Sequence, residues 1–83
     1  MDQIARSPGQ VGAALQAARK AKGINQTTLA HLSGLRQEMV SKVETGQTGV
    51  KLATLFDLLA ALDLELVIRP RSKSSAADMD DIF

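Results

Sequence analysis

Between Arg36 and Thr45 the chain reads RQEMVSKVET, and its polar side chains do not scatter. At about 100 degrees per residue along a helix, Gln37, Glu38, Ser41, Lys42 and Thr45 fall on one arc, with Met39, Val40 and Val43 on the opposite one. Each outward residue type matches a group displayed on the edge of a base pair. Gln pairs with adenine through two hydrogen bonds, Lys bonds guanine acceptors or a phosphate, Glu accepts from cytosine N4, and Ser is permissive. A helix with that face, and small enough at Ser41 for close approach, suits a major groove. Ordinary solvated helices also carry polar faces of this kind, so the arc alone leaves both readings open.

Other chemistry is poorly supplied. The chain has no Cys and a single His, His31, which removes thiolate nucleophiles, disulfide scaffolding and ordinary Cys/His metal sites. His31 reads as a solvated side chain on a helix. Asp78, Asp80 and Asp81 lack the glycine turn and closing Glu of a calcium loop and read as ordinary charge. No glycine-rich phosphate loop, Ser/His/Asp set or paired pocket carboxylates occur. The expectation is a binding protein, not an enzyme, with no cofactor and no metal.

The elements that would position the Arg36–Thr45 arc can be read from start and stop signals. Ser7 as cap, Pro8 at the first helical position and Gln10 as the return half of a capping box open a first helix. Val11, Ala14, Leu15 and Ala18 carry it at helical spacing to Gly23. Asn25 caps a short second helix with Leu29, Ala30 and Leu32 turned inward, closed by Ser33-Gly34. The third helix runs from Arg36 or Gln37 to Glu44 and ends at Thr45-Gly46. Leu52, Leu55, Phe56, Leu59 and Leu62 mark a fourth. Then the period changes: Leu64, Leu66 and Ile68 alternate with Glu65, Val67 and Arg69 up to Pro70, which predicts one strand. A lone strand on a helical body leaves backbone groups unpaired, so it is expected to pair with its own copy across a two-fold axis.

Size and charge agree with a small associating domain. At 83 residues a monomer buries roughly 60% of the surface its unfolded chain exposes, so a second chain would add needed stability. With hydrophobic residues at 45%, two Phe and no Trp or Tyr, the core must be aliphatic. The formal net charge of +1 splits unevenly. Residues 1–51 carry seven Lys and Arg against three acids, and residues 52–83 carry three against six, giving +4 and −3. The basic half is the one able to meet a polyanion. The longest apolar stretch, Leu52 to Leu62, is broken by Thr54 and Asp57, and no leader pattern opens the chain, so a cytoplasmic protein with no membrane partner is expected.

The string from Gly23 to Gln47, GINQTTLAHLSGLRQEMVSKVETGQ, resembles the helix-turn-helix of the lambda-type phage repressors, the Xre family of bacterial regulators. The likeness lies in Gly23, Ile24, Asn25, Gln26, Leu29, Ala30, Gly34, Gln37, Val40, Ser41, Val43, Glu44 and Gly46 and extends over roughly Pro8 to Leu62. It implies an all-α, lambda-repressor-like bundle of four to five helices, here with one C-terminal β-strand pairing across a homodimer. It also implies roles: Arg36, Gln37, Glu38, Ser41 and Lys42 facing bases, and Asn25, Gln26, Thr45, Gln47 and Lys51 approaching the phosphate backbone. Gln26 would in addition brace Gln37, and Arg19 with Glu44 would form a buried ion pair. Glu38 and Arg36 depart from the usual residues at their positions, which leaves open the bases that are read.

The stretch VKLATLFDLLAALDLELVIRPR, Val50 to Arg71, is similar to HipB antitoxins, in which a last helix runs into a strand that pairs with the partner's. That resemblance implies a dimer repressing its own operon at a palindromic operator in double-stranded DNA, and binding a HipA-type serine/threonine kinase toxin. Leu64, Leu66, Val67 and Ile68 would form the dimer strand, and Met79, Ile82 and Phe83 a partner-binding tail. The alternative is an Xre-family phage or chromosomal repressor with no toxin partner. The expected division is a flexible N-terminus at 1–6, a DNA-binding domain at 7–62, a dimerisation strand at 63–71 and a disordered acidic tail at 72–83.

Overall fold

Ser7 starts the first helix: its Oγ accepts from the Gln10 backbone N–H at 3.2 Å, and Pro8 takes the first helical position. The return half of the capping box is shifted by one residue, because Gln10 Oε1 accepts from the backbone N–H of Arg6 instead of Ser7. The structure, a computed structural model, describes residues 3–71. The expectations for the 72–83 tail, including Met79, Ile82, Phe83 and the three Asp, lie outside the described residues. Within them four helices follow in order: α1 Pro8–Ala21, α2 Gln26–Ser33, α3 Gln37–Glu44 and α4 Leu52–Ala61.

All four helices stop in the same way. The N–H groups of Ile24, Leu35, Gln47 and Leu64 reach back to the carbonyls of Arg19, Ala30, Lys42 and Leu59, the six-residue Schellman closure. Each closure needs a left-handed residue just before that N–H. Gly34, at φ 72°, fills the place inside the tight turn between α2 and α3. After α4 the place is taken by Asp63 at φ 58°, the one described non-glycine residue with positive φ.

α3 packs on α1 and α2, and α2 also meets α4. Leu15, Leu29, Ala30, Val40, Val43, Leu58, Leu59 and Leu62 form the buried core, which among the described residues is wholly aliphatic. The contact between α1 and α3 is close because Gly12 has no side chain: a Cβ there would overlap the carbonyl oxygens of Val43 and Glu44. Gly46 lies against Gly9 in the same seam, where an added Cβ would fall 2.6 Å from the Gly9 Cα.

Three further expectations need correction. Leu32 is exposed, not inward. The buried arc of α2 centres between Leu29 and Ala30, where Gln26 and Ser33 also lie, and Leu32 falls about 110 degrees from that centre. On α4 the core residues are Leu58, Leu59 and Leu62, with Leu55 half-buried, whereas Leu52 and Phe56 face outward. The leucine repeat is wider than the buried stripe, so it included residues from a second face. Finally, residues 64–71 form no strand among the described residues. A ladder needs a second strand beside it, and the described residues of this chain supply none. Leu64, Leu66, Val67 and Ile68 are 40, 50, 68 and 91% exposed, so neither face of the alternation is covered. Among the described residues no helix is long and apolar enough to cross a membrane, and no group of three His, Cys, Asp or Glu could hold a metal ion.

Candidate nucleic-acid interface

α3 keeps apart the two faces that its sequence separates. Val40 and Val43 are buried and Met39 half-buried, while Gln37, Glu38 and Lys42 are exposed and Ser41 lies between. Arg36 stands at the N-cap without a side-chain cap and is exposed. Gln37, Glu38 and Lys42 therefore share an accessible side of one short helix, with half-buried Ser41 among them and exposed Arg36 just before it. The turn at Gly34 presents that side next to the N-terminus of α2.

At that N-terminus Asn25 Oδ1 accepts from the Thr28 backbone N–H at 2.8 Å, which caps α2 and leaves its Nδ2 donors uncommitted among the described residues. Gln26 follows, half-buried, and its amide links two elements: Nε2 donates to Glu44 Oε1 at 3.1 Å, and Oε1 accepts from Gln37 Nε2 at 2.7 Å. Beneath it Arg19 Nε donates to Glu44 Oε2 at 2.7 Å, and Nη2 donates to Oε1 at 3.1 Å, a two-bond pair whose side chains are 9 and 1% exposed. Burial pushes the Glu44 pKa up. The hydrogen bonds from Arg19 and Gln26, the Arg19 charge and a smaller contribution from Gln16 outweigh it and hold the carboxyl below the ordinary value of 4.5. The bond to Glu44 raises Arg19 in turn against the opposing effect of its burial. Among the described residues no buried side-chain polar atom lacks a hydrogen-bond partner.

The remaining residues expected near phosphates sit at the other end of α3. Thr45 is exposed, but its hydroxyl donates to the carbonyls of Ser41 at 2.9 Å and Lys42 at 3.1 Å, so it must leave them before donating to a phosphate. Gln47 and Lys51 are exposed on the loop to α4, on the rim of an apolar groove of about 320 Å³ floored by Val11, Val43 and Leu55. Sequence reasoning missed Gly12, whose signal was a small residue in the middle of an apolar helix face. It also missed the Gln26–Glu44 bond, for which no local pattern exists.

This fold and this outward face define a DNA-binding helix-turn-helix module. Residues 15–68 match the Helix-turn-helix family, and the chain belongs to that family, of the Xre type, whose members are transcription regulators and not enzymes. It is similar to the uncharacterized HTH-type transcriptional regulator y4dL of Sinorhizobium fredii, 42% identical over 57 residues, covering 69% of this chain and 29% of that protein. The chain thus spans less than a third of that regulator's length. It is also similar to antitoxin HipB of Escherichia coli, 30% identical over 78 residues, covering 92% of this chain and 83% of the antitoxin. Among solved structures, a chain of the HipA-HipB-O2-O3 complex matches with a TM-score of 0.78 at 28% identity, over 86% of this chain and all of that one. The restriction-modification controller protein C.AhdI of Aeromonas hydrophila matches with a TM-score of 0.65 at 45% identity, over 70% of this chain and 88% of that one.

Proposed function

We propose that the chain is a transcriptional repressor that reads a palindromic operator as a homodimer and serves as the HipB-like antitoxin of a toxin–antitoxin module, binding a HipA-type kinase. The observation that supports the DNA-reading part is the accessible face of α3, on which Gln37, Glu38 and Lys42 are exposed and Ser41 half-buried, with Arg36 exposed at the N-cap. Asn25, Gln26, Thr45, Gln47 and Lys51 flank that face and approach the phosphates. In this reading two copies pair through Leu64, Leu66, Val67 and Ile68, all exposed in one chain, and set two α3 helices roughly 34–36 Å apart. The antitoxin part is supported by similarity to HipB over 92% of the chain.

Binding to the chain's own promoter, titrated against unrelated duplex at low salt, tests the reading. Gln37→Ala is expected to cost about 1–3 kcal/mol at one base pair of each half-site and to relax specificity there. Equal binding to promoter and unrelated duplex by the parent would reject operator reading. A monomer at micromolar concentration by sedimentation would reject the symmetric pair. A second reading, a repressor or controller with no toxin partner, is favoured by the 45% identity to C.AhdI. Co-purification separates the two: the antitoxin reading requires that a kinase encoded beside this gene be retained by the tagged chain, and that retention survive changes at Gln37 and Lys42.

A further inference from the structure

The contacts from Arg19 to Gln37 have a direction. A carboxylate only accepts hydrogen bonds, so Glu44 obliges Gln26 to turn its amide NH2 inward. The carbonyl end of Gln26 is what remains toward α3, and it too can only accept, from the Gln37 amide nitrogen 2.7 Å away. Gln37 must therefore commit one N–H to Gln26, leaving Oε1 and its second N–H as the outward pair. That pair is an acceptor beside a donor. Adenine displays the complement in the major groove, the N6–H donor beside the N7 acceptor, whereas guanine displays two acceptors, O6 and N7. With Gln26 reversed, Gln37 would bond it through Oε1 and present two N–H donors, the match to guanine. A free glutamine amide takes either orientation, since its two ends have nearly the same shape.

We propose that Glu44 sets the choice of adenine over guanine at the base pair read by Gln37, with Gln26 as the transmitting residue. The inference rests on the reading of Gln37 as a base contact. Glu44 is a positioning residue: its side chain is 1% exposed, within the domain and out of reach of a base. Arg19 holds the carboxylate in place from the other side.

The test is selection from a randomised duplex pool by the full chain, followed by sequencing of the bound fraction. The pair read by Gln37 is the one whose preference is lost in Gln37→Ala. There the parent is expected to favour adenine over guanine by about tenfold or more. Replacing the ion pair by apolar residues of similar volume, Arg19→Met with Glu44→Leu, avoids leaving one charge buried alone. This double variant is expected to keep its helical circular dichroism and to drop the ratio below about threefold, with other positions unchanged. Gln26→Leu breaks the relay further out with the ion pair intact. It gives the same readout in a chain with an unaltered core, and any phosphate contact it loses weakens all sequences alike. A structural role for Glu44 alone would lower affinity and leave the ratio as it was. Folded variants that retain the parental ratio overturn the relay and leave DNA reading standing. A parent profile that Gln37→Ala does not change overturns both.

Discussion

Arg19 Nη1 donates to the backbone carbonyl of Ile24 at 2.9 Å, so the side chain that holds Glu44 of α3 also ties down the turn that follows its own helix. Charge on Glu44 is thereby coupled to the geometry of both the α1–α2 turn and the end of α3. Folded Glu44 has a lowered pKa, so it contributes stability that is present above the unfolded value of 4.5 and is lost as pH falls through the folded one. Urea midpoints at about pH 7 and about pH 3 should therefore separate more widely in the parent than in Arg19→Met/Glu44→Leu. Equal separations would mean that the pair contributes nothing to acid sensitivity.

Gly12→Ala should be severely destabilising. The new methyl would meet backbone carbonyls of Val43 and Glu44, which cannot swing aside as a flexible side chain would. A loss of about 3 kcal/mol is expected, at the top of the usual overpacking range. Gly9→Ala is the control, one turn away on the same helix, because its added Cβ would have Ser7 Oγ as nearest neighbour at 3.9 Å. It should be neutral or stabilising by up to about 1 kcal/mol. Thermal melts of the two variants beside the parent decide the matter, and comparable melting temperatures for both would show that α1 and α3 can slide apart freely.

Asp63→Gly should stabilise the chain. Asp63 closes α4 at φ 58°, where the other three helices use glycine. Removing the Cβ relieves left-handed strain and is expected to gain about 0.5–1 kcal/mol, which is a few degrees in melting temperature for a domain of this size. A lowered melting temperature would mean that the Asp side chain does more for the end of α4 than its strain costs.

Lys51→Ala should weaken every duplex by a similar factor, unlike Gln37→Ala. Lys51 is exposed at the N-cap of α4, outside the α3 face proposed to read bases. If it meets one phosphate per subunit, the slope of log affinity against log salt should flatten by about 0.9 per subunit. A change confined to one operator position would place Lys51 among the base contacts instead.

Five of the eight helix boundaries were legible in the sequence because each rests on a local signal: Ser7 with Pro8, Asn25, and the glycines that close three helices. The outward arc of α3 was legible for the same kind of reason, since an eight-residue helix with Val40 and Val43 on one side leaves little freedom in its orientation. Leu32, Leu52 and Phe56 were misread because apolar identity does not say which apolar face the body covers, and α4 carries more leucine than one stripe needs. The Leu64–Ile68 alternation indicates a strand, but a strand exists only with its partner, and the described chain ends in exposed side chains there. The link from Glu44 through Gln26 to Gln37 joins residues 18 and 11 positions apart and follows from tertiary packing alone.

That link also separates the reading face into residues with different freedom to change over evolutionary time. Among the described residues no hydrogen bond engages the side chains of Arg36, Glu38 or Lys42, whereas Gln37 is fastened through Gln26 to the ion pair in the core. A lineage acquiring a new target sequence could vary these exposed, unattached positions one at a time, with the domain's integrity intact at each step. Altering Gln37 would first require a new partner for Gln26.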